Sequence, residues 1–364
     1  LAFAVWCLSA APARADRIEY SVAKFDDNAQ NEVASTSFSL LKTLFERTRL
    51  MLDIELDQTT VPPLAFDGVT GASRPARQSK SAFLKNRGQF IAGVQRDLFS
   101  ATEVSADLYF SQEVDYRSLS AVAGVSQGFA QNNFTVALTG QYTVDSVGEI
   151  TSDGSLLNRG KEIHKGNLQI TQLLSPQSYV RLGLDGERDH GFLSDPYRTV
   201  EIGGDTVREN VPSLRFRTAA WLEYSKYLAS VAASWSAEYR YAWDDWGLKA
   251  HEAWFKLNKY VTPDWILSAQ YRYAIQGGID FGEYGRASPG TYFAPGDYKL
   301  RDGEFHLVGI GSTLYLRAFC RRHPDWDFLR RSSVGLKYGR YFNGDSQENY
   351  FSSNLLEARL RFDF

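Results

Sequence analysis

The chain has 364 residues, a formal net charge of -3, 23 Phe, 20 Tyr and 8 Trp, but a single Met. Its mean hydropathy of -0.34 is that of a polar chain, so amphipathic segments must carry its many rings. Lys and Arg are spread along the sequence rather than clustered, which excludes a basic footprint for nucleic acid.

The first fifteen residues, LAFAVWCLSAAPARA, form the only sustained apolar run. It is too short to cross a bilayer as a helix. It ends in Ala13-Arg14-Ala15, the small-x-small pattern of a signal-peptidase site. Residues 1–15 are therefore expected to be a cleaved signal peptide, and 16–364 the mature domain. Cys7 follows Trp6, where a lipoprotein signal needs a small residue. Cleavage leaves Cys320 alone, so no internal disulfide stabilises the fold. Despite Arg321 and Arg322 beside it, Cys320 reads as a structural turn cysteine rather than a reactive thiol.

From Arg17 onward the dominant period is two. RLMLDIELDQ sets Leu50, Leu52, Ile54 and Leu56 against Asp53, Glu55 and Asp57. FTVALTGQYTV and SVAASWSAEYRYAW alternate in the same way, which specifies strands with one apolar and one polar face. Sixteen strands are expected, near 17–26, 32–44, 48–59, 85–98, 102–114, 118–129, 134–145, 163–174, 179–188, 213–226, 229–243, 247–260, 265–275, 304–318, 332–342 and 352–364. Short turns at 45–48, 99–102, 130–133, 175–178, 226–229 and 261–264 alternate with longer connections, among them 60–84, 146–162, 188–212 and 276–303. Such alternation is expected of an outer-membrane barrel, with short turns in the periplasm and long loops outside. The connection at 319–331 is long for its side.

The C-terminal NLLEARLRFDF alternates Leu356, Ala358, Leu360, Phe362 and Phe364 with Glu357, Arg359, Arg361 and Asp363. A strand ending on Phe364, with Phe362 on the same face, resembles the signal read by the barrel-assembly machinery. The fold expected is all-β: a closed antiparallel transmembrane β-barrel with its apolar face toward outer-membrane lipid. The lumen would then be lined by Asp53, Glu55, Asp57, Asp107, Arg181, Arg215, Arg217, Glu238, Arg240, Arg272, Arg317, Lys337, Glu357, Arg359 and Arg361. Mixed charges there either brace the wall as ion pairs or form a charge-selective constriction. Aromatics such as Phe99, Tyr179, Tyr227, Tyr260 and Trp265 flank the short turns as an interfacial girdle.

The five histidines have no metal-ligand spacing, and no G-x-S-x-G elbow, P-loop or paired-cysteine site occurs. No catalytic or metal-binding residue is assigned, and the chain is not expected to be an enzyme.

DQTTVPPLAFDGVTGAS, residues 57–73, and the early RIEYSVAKFDD strand resemble the outer-membrane barrel family catalogued as domain of unknown function 3570. The resemblance implies an outer-membrane barrel and brings no established activity. Genes of this family often neighbour those for a small lipoprotein, a flavin transferase and a thioredoxin-like protein, which hints at an envelope redox role. Within the same stretch, Asp67-Gly68-Val69-Thr70-Gly71-Ala72-Ser73 is similar to the acceptor pattern of flavin transferases, D-x-x-[ST]-G-A-[ST]. In that reading Ser73 carries FMN through its phosphate, with Thr70 and Asp67 completing the motif. Thr is the usual acceptor at the position of Ser73. The alternative is a tight turn whose glycines supply positive φ and whose Asp67 caps it.

Three functions are thus expected in order. The first is a pore or conduit with a mixed-charge lumen, and the second an envelope redox component with covalent FMN at Ser73. The third is a barrel plugged by the loops at 60–84, 188–212 and 276–303 that docks a lipoprotein.

Overall fold

The computed structural model describes residues 16–28, 30–61, 83–150, 155–281, 286–287, 292–320, 324–343 and 351–364. The expected signal peptide and the stretch from Asp67 to Ser73 lie outside the described residues.

Sixteen strands close into one antiparallel barrel. In chain order they begin with β1 (Arg17–Asp27), β2 (Glu32–Leu44), β3 (Thr48–Val61), β4 (Phe83–Asp97), β5 (Thr102–Gln112) and β6 (Tyr116–Phe129). There follow β7 (Phe134–Ile150), β8 (Leu156–Ser175) and β9 (Ser178–Gly191), then two short strands outside the wall, β10 (Thr199–Ile202) and β11 (Asp205–Arg208). The wall resumes with β12 (Leu214–Leu228), β13 (Ala233–Asp244), β14 (Lys249–Thr262) and β15 (Trp265–Gln276). After β16 (Arg286–Ala287), again outside the wall, come β17 (Gly303–Tyr315), β18 (Ser333–Asn343) and β19 (Ser352–Asp363). β1 pairs with β19 from Arg17↔Asp363 to Asp27↔Ser353, which closes the ring. Asp16 extends that seam. Its backbone exchanges two hydrogen bonds with Phe364, at 2.9 and 3.0 Å, and its carboxylate accepts from the Thr43 amide at 2.7 Å and from Lys42.

Alternation along each strand sets which face points out. On β7, Leu138, Tyr142 and Val144 are about half exposed, whereas Thr143 and Asp145 are buried at 4% and 2%. Leu52, Ile54 and Leu56 on β3, Leu182 and Leu184 on β9, and Leu336 and Tyr338 on β18 are exposed in the same way. A continuous exposed apolar band on a closed sheet is tolerated only in lipid, which offers no partner to backbone polar groups. Among the described residues no helix is long and apolar enough to cross a membrane, so the crossing is made by strands. Among the described residues, a small conventional core, Val211, Trp246 and Leu300 with Leu193, Leu248, Ile279 and Phe281, lies in loops at one end of the barrel.

Two details depart from the sequence reading. The connection expected at 146–162 is largely strand: β7 and β8 stay paired from Phe134↔Gln172 out to Ile150↔Leu156. Their hairpin therefore runs beyond the apolar band. The β17 strand ends at Tyr315, so Arg317 is not on the wall. It sits in a short helix, Arg317–Cys320, and its guanidinium binds Asp264 and the Pro263 carbonyl at the short-turn end. Cys320 is buried there, its thiol 3.1 Å from the Trp326 carbonyl oxygen.

Candidate functional site

Because register places cross-strand partners on one face, the inward residues form rows of charge around the barrel. Arg217 of β12 meets Glu187 and Asp189 of β9. Arg215 binds Asp244 of β13, and Arg240 binds Asp185 at 2.7 Å. Arg272 of β15 binds Glu252 of β14 at 2.6 Å, and Arg181 binds Glu223 at 3.1 Å. On β19, Arg359 binds Glu357 at 2.6 Å and Glu19 of β1 at 3.3 Å, Arg361 binds Asp363 at 2.6 Å, and Lys337 lies 3.7 Å from Glu357. Glu238 faces the same way, directly paired in register with Glu223 and Trp254.

The β3–β5 wall differs. Asp53 accepts a hydrogen bond from Ser39, and Asp57 accepts one from Gln89 at 3.3 Å. Among the described residues, no lysine or arginine nitrogen lies within ion-pair distance of Asp53, Glu55, Asp57 or Asp107. Phe362 pairs with Ile18 at the seam and Phe364 with Asp16, so both are held in the closing strand.

At one end of the barrel, two of the loops expected to plug it, 188–212 and 276–303, join in a small sheet of their own. The loops after β9 and after β15 interlock: β10 pairs antiparallel with β11 and parallel with β16, and Asn210 and Ala294 exchange backbone bonds at 3.0 and 2.8 Å. At the centre Arg198 reaches Asp195, Glu209 and Asp297 at 3.3–3.6 Å. Glu209 also accepts the backbone N–H groups of Asp195 and Gly296 at 2.8 and 2.7 Å. Burial pushes the Glu209 carboxyl above its ordinary range, against the opposing pull of Arg198 and those two amides. The plug is tied to the wall where Arg208 meets Glu149 and where the Tyr197 hydroxyl lies 3.4 Å from the Gly148 carbonyl.

Beneath the plug lies a polar cavity of about 520 Å³, within the range of small-ligand sites. Asp57, Lys85, Arg87 and Lys161 line it from the wall, and Phe192, Asp195, Arg198 and Asp297 from the plug. Lys85 is gripped by Glu113 at 2.5 Å and Asp115 at 3.2 Å, and Lys161 by Asp145 at 3.1 Å. Arg87 has only neutral partners at close range: Ser111 at 3.1 Å, Gln89 at 2.8 Å and Tyr109 at 3.0 Å. Sequence reading passed over Lys85 and Arg87. The signal was available, since both fall on the inward phase of LKNRGQF.

A closed ring of sixteen strands, apolar outside and charged within, defines the molecule as a transmembrane β-barrel. The family model described as "Protein of unknown function (DUF3570)" matches residues 67–315, more than half of the chain. The chain belongs to that family. No curated protein matches the sequence. Among solved structures, the chain is similar to the CymD monoaromatic hydrocarbon channel at 8% identity and a TM-score of 0.48, over 97% of this chain and 89% of that one. It is also similar to the outer membrane protein OpdK of Pseudomonas aeruginosa, at 8% identity and a TM-score of 0.46, over 96% and 99%. The ferric enterobactin receptor of Pseudomonas aeruginosa aligns at 13% identity and a TM-score of 0.46, over 92% of this chain. This chain spans 55% of the length of that receptor.

Proposed function

We propose that the protein is a conduit in the outer membrane of a Gram-negative bacterium, with its long loops outside and solutes passing through the charged lumen. The observation that carries this reading is the inward charge itself, ion pairs and open polar cavities on a wall whose outer face is apolar. Sixteen strands leave room for an aqueous path beside a loop plug. The carboxylates of Asp53, Glu55, Asp57 and Asp107, unanswered by bases, favour cations over anions in that path. Reconstitution of the purified, folded barrel in planar bilayers should give discrete conductance steps, with a reversal potential in a salt gradient on the cation side. A folded barrel that never conducts overturns the proposal.

The flavin reading rests on the acceptor pattern ending at Ser73. Co-expression with a flavin transferase should then add the mass of one FMN, less water, to the mature chain, and Ser73→Ala should abolish it. A Ser73→Ala protein that still carries the added mass sinks that assignment. The docking reading predicts a lipoprotein that co-purifies with the barrel and is lost when the loops at 188–212 and 276–303 are trimmed.

A further inference from the structure

We propose that the cavity beneath the plug is a binding site for a small zwitterion of the α-amino-acid type, with its carboxylate on Arg87 and its ammonium on Asp57. The site deepens the conduit reading by naming a class of solute.

Asp57 and Arg87 are direct cross-strand partners in the β3–β4 register, on the inward face, and both line the cavity. An acid and a base so placed ordinarily close on each other, as Arg217 does on Glu187. Here they do not. The Arg87 guanidinium spends its contacts on a hydroxyl, an amide oxygen and a phenol, and its nearest carboxylate oxygen, on Glu113, is 4.0 Å away. Asp57 holds one long bond from Gln89, and its other oxygen has no hydrogen-bond partner. Glu55, two residues along on the same face, adds a second carboxylate beside it.

The other charges of the cavity are already answered within the protein. Lys85, Lys161 and Arg198 each have carboxylates in ion-pair range. Arg87 is answered only by Glu113 at the 4.0 Å limit of that range, so the most weakly answered pair is one guanidinium and one carboxylate set side by side. An α-amino acid carries the complementary groups on a single carbon. Arg87 donates its Nε and Nη2 hydrogens to Ser111, Gln89 and Tyr109, which leaves Nη1 for the ligand carboxylate, a charge-assisted bond that neither a lone ammonium nor a neutral solute can make. Val33, Val147, Phe192 and Leu193 supply the apolar part of the lining, against which an apolar side chain can rest.

The test uses the full barrel folded in detergent, with L-leucine as the probe followed by saturation-transfer NMR. Two controls each keep one of its charges: 3-methylbutylamine lacks the carboxylate and 4-methylpentanoate lacks the ammonium. L-leucine should bind about tenfold or more tightly than either, since each control leaves one of the two charges of the site unpaired. Arg87→Gln and Asp57→Asn should each weaken leucine by about the same factor, and Lys165→Gln, remote from the cavity, should not. If either control matches L-leucine on the wild-type protein, the site is not zwitterion-specific and the proposal falls. It falls equally if both variants bind leucine like wild type. Conductance is read separately on the same protein: a barrel that binds leucine without conducting loses the conduit and keeps the site, while one that conducts without binding loses only the site.

Discussion

On the wall formed by β9 and β12–β15, Arg181, Arg215, Arg217, Arg240 and Arg272 each meet a carboxylate from another strand. On the wall formed by β3–β5, Asp53, Glu55, Asp57 and Asp107 meet no base at ion-pair distance. Both walls come from the same alternation of apolar and polar residues, so the difference lies in charge placement, not in strand pattern. The paired wall uses charge as bracing, with each guanidinium stitching strands together, Arg240 reaching across β12 to Asp185 of β9. The β3–β5 wall is braced at one end, where Arg49 meets Asp97 and Glu103, but it leaves these four carboxylates to the lumen. Stability should therefore depend on the first wall and selectivity on the second.

The largest effect expected is at Arg215. Its partner Asp244 has a side chain only 2% exposed and otherwise accepts the amides of Trp246 and Leu248 at 3.1 and 2.9 Å. Arg215→Met leaves that carboxylate buried without its countercharge, a loss of roughly 3–5 kcal/mol. Thermal unfolding of the folded barrel, followed by its β-sheet circular dichroism, measures it. Adding Asp244→Asn should recover part of the loss. Asp53→Asn on the other wall should leave stability unchanged or slightly raised. Equal losses at Arg215 and Asp53 would break the distinction between the walls.

Neutralising the acidic wall as a set comes next. Asp53→Asn, Glu55→Gln, Asp57→Asn and Asp107→Asn together should move the reversal potential in a salt gradient toward zero. Relief of like-charge repulsion along β3 should raise stability by up to about 1 kcal/mol. A reversal potential that stays at the wild-type value would show that these carboxylates do not set the field of the path.

The barrel was legible because lipid on one side and water on the other impose the same period on every strand. RLMLDIELDQ and NLLEARLRFDF each show it within a dozen residues. Where that contrast ends, so does the signal. The upper β7–β8 hairpin no longer divides lipid from lumen: Val147, Gly148 and Glu149 are buried in succession and Leu156–Gly160 exposed in succession, so VGE and LLNRGKE carry no clean alternation. The loops at 188–212 and 276–303 are legible as plug candidates, but the sheet they form is not: β10, β11 and β16 have four, four and two residues. Moreover, β16 pairs with β10 from a loop more than eighty residues away. Charge at the lumen face could be read from phase alone, and Asp57 was placed in that way. Which charges find partners could not, since Arg217 and Asp189 are 28 residues apart and meet only through strand register. Arg317 shows the limit of phase: it continues the pattern of β17 but lies past the last pair, Tyr315↔Ser333.

The smallest effect lies in the plug, where the contrast between paired and open charge recurs within one residue. Glu209 is paired with Arg198, yet burial still holds its carboxyl above the ordinary range. The folded plug therefore binds that proton more tightly than the released loops do. The resulting stabilisation is fully present below the unfolded value and is lost as the pH rises through the raised, folded one. Asp195 and Asp297 face the same guanidinium and inherit more of it when Glu209 is neutral. Amide hydrogen exchange across 195–210, corrected for intrinsic rates, should show stronger protection at about pH 4 than at about pH 7. Glu209→Gln removes the titration and keeps one of the two acceptor oxygens that the Asp195 and Gly296 amides use, so its protection, though lower, should be the same at both values. A variant that retains the wild-type pH dependence would show that Glu209 is not the titrating group and leave it a purely structural acceptor.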